Sequence, residues 1–204
     1  MEYLLIGFFT GLSLILALGA QNIFVIEQGL KKQYTFLVCL ICSISDYLLI
    51  FLGIILFEYF QSYFNQTIEL ILNILLLIFL LYFIYSKIRL SFSNIDFSTY
   101  KTDDTFKSIV LKTLGFTYLN PHVYSDTVFF LGNFSKNFAL VNKIYFGLGA
   151  TISSFLFFFT IGYLAKYSSK YLNNKKNWFY INILVILFMS VLSLYILNTI
   201  INFY

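Results

Sequence analysis

The chain has 204 residues, of which 60% are hydrophobic, 22% aromatic and 11% charged, with a mean hydropathy of +0.84. A soluble domain carries roughly 25% charged residues, so this composition belongs to an integral membrane protein. The formal net charge of +4 is spread between apolar runs and forms no basic patch, which excludes nucleic acid as a partner and leaves membrane lipid as the surroundings.

In chain order, "MEYLLIG" lacks a basic leader region, and a cut after "ALGA" would destroy the polar stretch discussed below, so no cleaved signal peptide is expected. Apolar runs of roughly 20 residues, enough to cross about 30 Å of hydrocarbon, recur along the chain. They predict six transmembrane helices near 3–26, 35–58, 68–87, 108–132, 144–165 and 178–201. Between the third and fourth lies "LSFSNIDFSTYKTDDTFK", which reads as a linker. The expected organisation is one transmembrane domain, 1–204, with repeat one at 1–88, a cytoplasmic linker at 89–107 and repeat two at 108–204. Lys31 and Lys32 follow span one, Lys87, Arg89, Lys101, Lys107 and Lys112 flank the linker, and Lys166, Lys170, Lys175 and Lys176 follow span five. The opposite loops hold only Lys136 and Lys143. The positive-inside rule then places the linker in the cytoplasm and both termini outside. Tyr59, Tyr63, Tyr82, Tyr85, Trp178 and Tyr180 fall near span ends, as interfacial anchors do.

The two halves resemble each other. Span two reads "ICSISDYLLIF" and span five "GATISSFLFFF", which match at Ile44-Ser45/Ile152-Ser153, Leu48/Leu156 and Phe51/Phe159. Span three carries "NILLLIF" from Asn73, and span six "NILVILF" from Asn182. The first span of each half contains a lone Asn, Asn22 and Asn120. Three spans per half is an odd number, so the second half must be inverted. The fold class is therefore all-α and polytopic, two inverted three-helix repeats with spans one and four interrupted, an architecture that places a transport site near the midplane.

The interruptions carry the chemistry. The one proline, Pro121, lies in "GFTYLNPHVYSDT". Inside a helix it would remove the backbone bond to Thr117 and disfavour helix at Asn120. Freed backbone groups in hydrocarbon need partners, which Asn120 and His122 can supply. Span one offers "GAQN" in return: Gly19 allows close backbone approach, and Gln21 and Asn22 bring amides. A packed kink with satisfied amides is the plainer reading of one such break; two at matching places favour a binding site. Asp46 lies mid-span, where a carboxylate costs at least about 2.5–3.5 kcal/mol and normally faces an interior cavity. Glu27 and Asp126 read equally as interfacial acids near Lys31 or Lys136. Gly7-x-x-x-Gly11 and Gly149-x-x-x-Ser153 are faces for close helix packing, within the bundle or in a homo-oligomer. Cys39-Leu-Ile-Cys42 reads as inert core thiols, with a transmembrane thiol or electron carrier as the alternative.

"GAQNIFVIEQGL", "CSISDYLLIFLG" and "LNPHVYSDTVFFLG" closely resemble the lysine/arginine exporter (LysE-type) family of bacterial inner-membrane proteins. The resemblance runs from span one to span six. The Pro-Gly-Pro motif that typically opens the neutral amino-acid exporters of the wider superfamily is not in this sequence. The resemblance implies a multi-pass protein of the inner (cytoplasmic) membrane that exports lysine, arginine or close analogues, with other amino acids or small cationic metabolites as the alternative. Matching positions are Gly19, Gln21, Asn22, Phe24 and Gly29 in span one, Asp46 in span two, and Asn120, Pro121, His122, Tyr124 and Asp126 in span four. Glu27 departs from the pattern.

These readings give a substrate site of Gln21, Asn22, Asp46, Asn120, His122, Tyr124 and Asp126, with Gly19 and Pro121 breaking the helices. Asp46 and Asp126 are expected to exchange protons against the basic amino acid. A cation leaving a negative interior climbs about 2.3 kcal/mol per 100 mV, which one entering proton cancels. No Walker-type motif is present, and paired acids without a Gly-x-Gly-Asp motif or a nucleophile-and-base arrangement do not make a hydrolase, so no enzyme, metal or cofactor is expected.

Overall fold

A computed structural model describes residues 1–16, 19–63, 66–92, 105–172 and 175–202 of the chain. Eight helices account for almost all of these: α1 Glu2–Ile15, α2 Ala20–Lys31, α3 Thr35–Tyr63, α4 Gln66–Phe92, α5 Phe106–Tyr118, α6, α7 Leu140–Ser168 and α8 Lys175–Ile201. Helix α6 is composite, running through Pro121–Tyr124, a π-helical stretch Ser125–Phe130 and Leu131–Ser135. A 3-10 turn, Ser169–Leu172, extends α7.

Among the described residues, Thr35–Phe57, Leu140–Ser168 and Phe179–Ile201 are long and apolar enough to cross a membrane, and α1 with α2 qualifies as a pair bent by 83°. Leu70–Tyr85, within α4, is a shorter apolar helix. The chain is an all-helical, multi-pass membrane protein. The predicted runs 3–26 and 108–132 are each two helices, and α3 leaves helical geometry once more at Leu56 (φ −113°, ψ 16°). Outer faces are apolar, as lipid requires: Leu184, Leu187, Val191 and Leu194 of α8 are each at least 60% exposed.

Small residues let the backbones meet. A Cβ on Gly7 would run into the Phe146 carbonyl, and one on Gly149 into that of Leu4, while one on Gly11 would stand 2.9 Å from the Ala150 Cα. Both small-x-x-x-small faces therefore pack α1 on α7 within the chain. The same device joins α2 to α7 at Gly29 and Gly162, and α3 to α6, where a Cβ on Gly132 would stand 2.8 Å from the Gly53 carbonyl oxygen. Thus the first broken segment lies on α7 and the second on α3, while α4 lies along α8. An aromatic cluster fastens α4 to α2 and α5, with Phe116 centroids 4.9, 4.8 and 5.0 Å from Phe24, Phe79 and Phe83.

The basic ends gather on one side. Gly29, near Lys31 and Lys32, packs on Gly162 and Ala165, near Lys166, and Tyr34 meets Phe106, beside Lys107, with ring centroids 5.9 Å apart. At the other end Tyr3 packs on Phe138 at 4.9 Å, between Lys136 and Lys143. Tyr82, Tyr85 and Tyr180 are exposed. Residues 93–104 of the linker, with Lys101, lie outside the described residues, as do the C-terminal Tyr204 and the side chains of Tyr59, Tyr63, Lys87, Lys175, Lys176 and Trp178.

Candidate functional site

The two breaks face each other: a Cβ on Gly19 would lie 4.0 Å from Asn120 Nδ2. Each break leaves backbone groups of a helix end without intrahelical partners, and an asparagine serves each. Asn22 Nδ2 donates to the Ile15 carbonyl at 3.1 Å, closing the end of α1. Asn120 Oδ1 accepts from His122 N–H at 3.1 Å, capping the start of α6. The proline expected to interrupt a helix does not sit inside one. The chain leaves α5 after Tyr118, Asn120 is extended (φ −83°, ψ 109°), and Pro121 occupies the first position of α6. There its missing N–H costs nothing and its fixed φ suits helix initiation.

Between the breaks lies a cavity of about 420 Å³, within the ~300–1,000 Å³ typical of small-molecule sites. Gly19, Gln21, Asn22, Asp46, Asn120, His122 and Asp126 all line it. Gln21, Asn22, Asp46 and Asn120 are each no more than 7% exposed and form its inner wall. His122 is exposed and Asp126 half-buried, toward the open side. On α3, Asp46 Oδ2 accepts a 2.7 Å hydrogen bond from Ser154 Oγ of α7. Asp126 lies one helical turn beyond His122, in the π-helical stretch, where Leu131 N–H reaches back to the Asp126 carbonyl. That wider turn re-aims the side chains around it, a distortion often found at functional sites. Asp46 and Asp126 both line this space, and among the described residues no Lys or Arg lines it. The Gln21 side chain is buried beside the Cys42 thiol. Two carboxylates and three amides thus stand on a wall that is otherwise mostly apolar.

Two expected positions lie elsewhere. Tyr124 is not on the cavity wall; its hydroxyl donates to the Tyr118 carbonyl at 2.8 Å and so serves a backbone group freed at the end of α5. Pro121 is buried and does not line the cavity. Glu27 lies outside the cavity and is paired with Lys31, one turn along α2, at 2.8 Å. Cys39 and Cys42 are free and buried, with Cys39 Sγ donating to the Phe158 carbonyl at 3.2 Å, and neither lines the cavity. Among the described residues no group of three His, Cys, Asp or Glu could hold a metal ion.

The sequence reading missed Ser154, Thr127, Phe158 and Tyr195 on the wall. Ser154 had a signal: aligning Ile44-Ser45 with Ile152-Ser153 sets it opposite Asp46, the residue it bonds. Tyr195 had none, because it stands alone in an apolar helix.

A bundle of membrane helices with a cavity between two facing breaks, holding carboxylates and amides on a mostly apolar wall, defines a membrane transporter. Residues 12–199 match the family model described as LysE type translocator, and the chain belongs to that family, whose members are amino-acid exporters and not enzymes. It is 34% identical over 184 residues to the arginine exporter protein ArgO of Klebsiella pneumoniae (strain 342), covering 88% of this chain and 85% of that one. Identity to the arginine exporter protein ArgO of Salmonella typhimurium (strain LT2) is 33% over 190 residues, 90% of this chain and 88% of the relative. No solved structure matches.

Proposed function

We propose that this protein exports arginine, or the closely similar lysine, across the bacterial inner membrane by exchange with protons, through a site formed where two inverted three-helix repeats meet. The observation that carries this reading is the cavity itself: two carboxylates and three amide side chains line a space with no Lys or Arg on its wall among the described residues. An amino acid with a cationic side chain supplies what that wall lacks. Its ammonium and side-chain cation suit Asp46 and Asp126, and its carboxylate suits the N-terminal end of α6. The arginine exporters among the relatives support the substrate class.

Six spans as inverted repeats follow from taking α1–α2 and α5–α6 as one broken span each. In support, Asp46 bonds Ser154, its counterpart when spans two and five are aligned, the break at Gly19 faces the break at Asn120, and α4 lies along α8. The gathering of Lys31, Lys32, Lys107 and Lys166 at one end supports a cytoplasmic linker with both termini outside. Coupling rests on Asp46 and Asp126. A proton leaving either carboxylate creates the charge that the substrate cation neutralises, so proton and substrate compete for one place. Proton entry then offsets the electrical work of exporting a cation.

The test is efflux from proteoliposomes loaded with labelled arginine, lysine, leucine or glutamate. Acidifying the outside should accelerate arginine or lysine efflux and leave leucine and glutamate inside. Basic amino-acid efflux that ignores the proton gradient would overturn the exchange, and absence of any basic amino-acid flux would overturn the substrate class.

A further inference from the structure

We propose that Tyr195 of α8 is a specificity-determining residue of the cavity, forming with His122 a pair of aromatic faces that receives a planar guanidinium and so favours arginine over lysine. The inference rests on the basic amino-acid reading above and adds the residue that would choose between its two substrates.

Helix α8 contributes Leu192, Tyr195 and Ile196 to the wall, and of these three Tyr195 offers more than apolar surface. Its ring lies beside that of His122, also on the wall, with centroids 6.2 Å apart and planes inclined by 30°. Both side chains are exposed, Tyr195 by 58%, so neither is held in place by close packing on every side. A flat group between two rings needs about 3.5 Å on each side, or about 7 Å in all. The pair therefore has to part and level its planes to admit one, and α8, which packs chiefly on α4 among the described residues, leaves room for that movement. Asp126, one turn beyond His122, stands at the edge of the same space and can accept hydrogen bonds from the guanidinium rim.

Guanidinium is planar, delocalised and weakly hydrated, and it stacks on aromatic faces. Ammonium is a compact, strongly hydrated charge with no face to stack. Two rings at this spacing thus reward arginine more than lysine, whereas the carboxylates attract both.

The experiment measures arginine and lysine dissociation constants of purified protein in detergent, for wild type, Tyr195→Phe and Tyr195→Leu. Wild type should bind arginine more tightly than lysine. Tyr195→Phe should keep that preference, because the ring face remains. Tyr195→Leu should weaken arginine by about tenfold and lysine by less than about threefold. The arginine-to-lysine ratio is taken within one preparation, so loss of folded protein cancels. Equal weakening of both ligands, or no change in the ratio, would overturn the role of Tyr195. Wild type that binds neither amino acid would instead overturn the substrate class itself, whatever the variants do.

Discussion

The two helix breaks use the same residue type for opposite tasks. At the first, Asn22 lies past the break and reaches back, its amide nitrogen serving the last carbonyls of α1. At the second, Asn120 lies in the break and reaches forward, its amide oxygen serving the first N–H groups of α6. A glycine, extended at φ −114° and ψ 178°, makes the first turn, and a proline starts the helix after the second. The difference teaches that a broken helix is defined by which orphaned end must be served. An asparagine can serve either, because it carries both a donor and an acceptor.

The largest effect is expected where the chain is not broken. Asp46→Asn keeps the shape and leaves both breaks intact, yet it removes a group that can release a proton. Proton-driven arginine efflux from proteoliposomes should fall by about 100-fold or more, as for loss of a charge-assisted contact worth roughly 3 kcal/mol. Efflux at the wild-type rate would take Asp46 out of the mechanism and leave the breaks as the whole site.

Next come the asparagines themselves. Asn120→Leu removes a helix cap and should cost about 1 kcal/mol of stability. Asn22→Leu removes a donor to the Ile15 carbonyl and should cost a similar ~1 kcal/mol. Both also take an amide from the cavity wall, so the rise in melting temperature that arginine gives wild type should shrink in each. A loss confined to Asn120→Leu would mean that the two breaks are unequal partners in binding.

Pro121→Ala sharpens the comparison further. If the proline lay inside a helix, its removal would stabilise by up to about 3 kcal/mol. At the first position of α6, with Asn120 extended before it, the change should stay within about 1 kcal/mol, because alanine there gains no intrahelical bond. A rise in melting temperature matching the larger figure would show that α5 and α6 fuse when released.

The smallest effect is expected at Gly19. Its extended backbone is open to any residue, and the nearest atom to an added Cβ is 4.0 Å away. Gly19→Ala should therefore change thermal stability by less than about 0.5 kcal/mol and leave arginine binding within twofold of wild type. A large drop in binding would mean that substrate passes against the Gly19 backbone itself.

Composition alone makes this a membrane protein, because a chain with so few charges has no way to cover a soluble core. Apolar period and length locate its helices, the small-residue faces foretell where backbones meet, and the rarity of Asn, Gln and Asp inside such runs marks Gln21, Asn22, Asp46 and Asn120 as special, since each is costly in hydrocarbon. Tertiary structure decided the rest. Whether Asp126 and Glu27 share a fate depends on what each meets: Asp126 opens on the cavity, while Glu27 closes on Lys31. The register of Pro121 depends on where α5 stops, at Tyr118, two residues before the extended Asn120 and not at the proline. The π-helical turn around Asp126 and the approach of Tyr195 to His122 arise from contacts between helices far apart in sequence, which no local pattern encodes. Periodicity is a property of one helix, whereas a site is a property of the space between several.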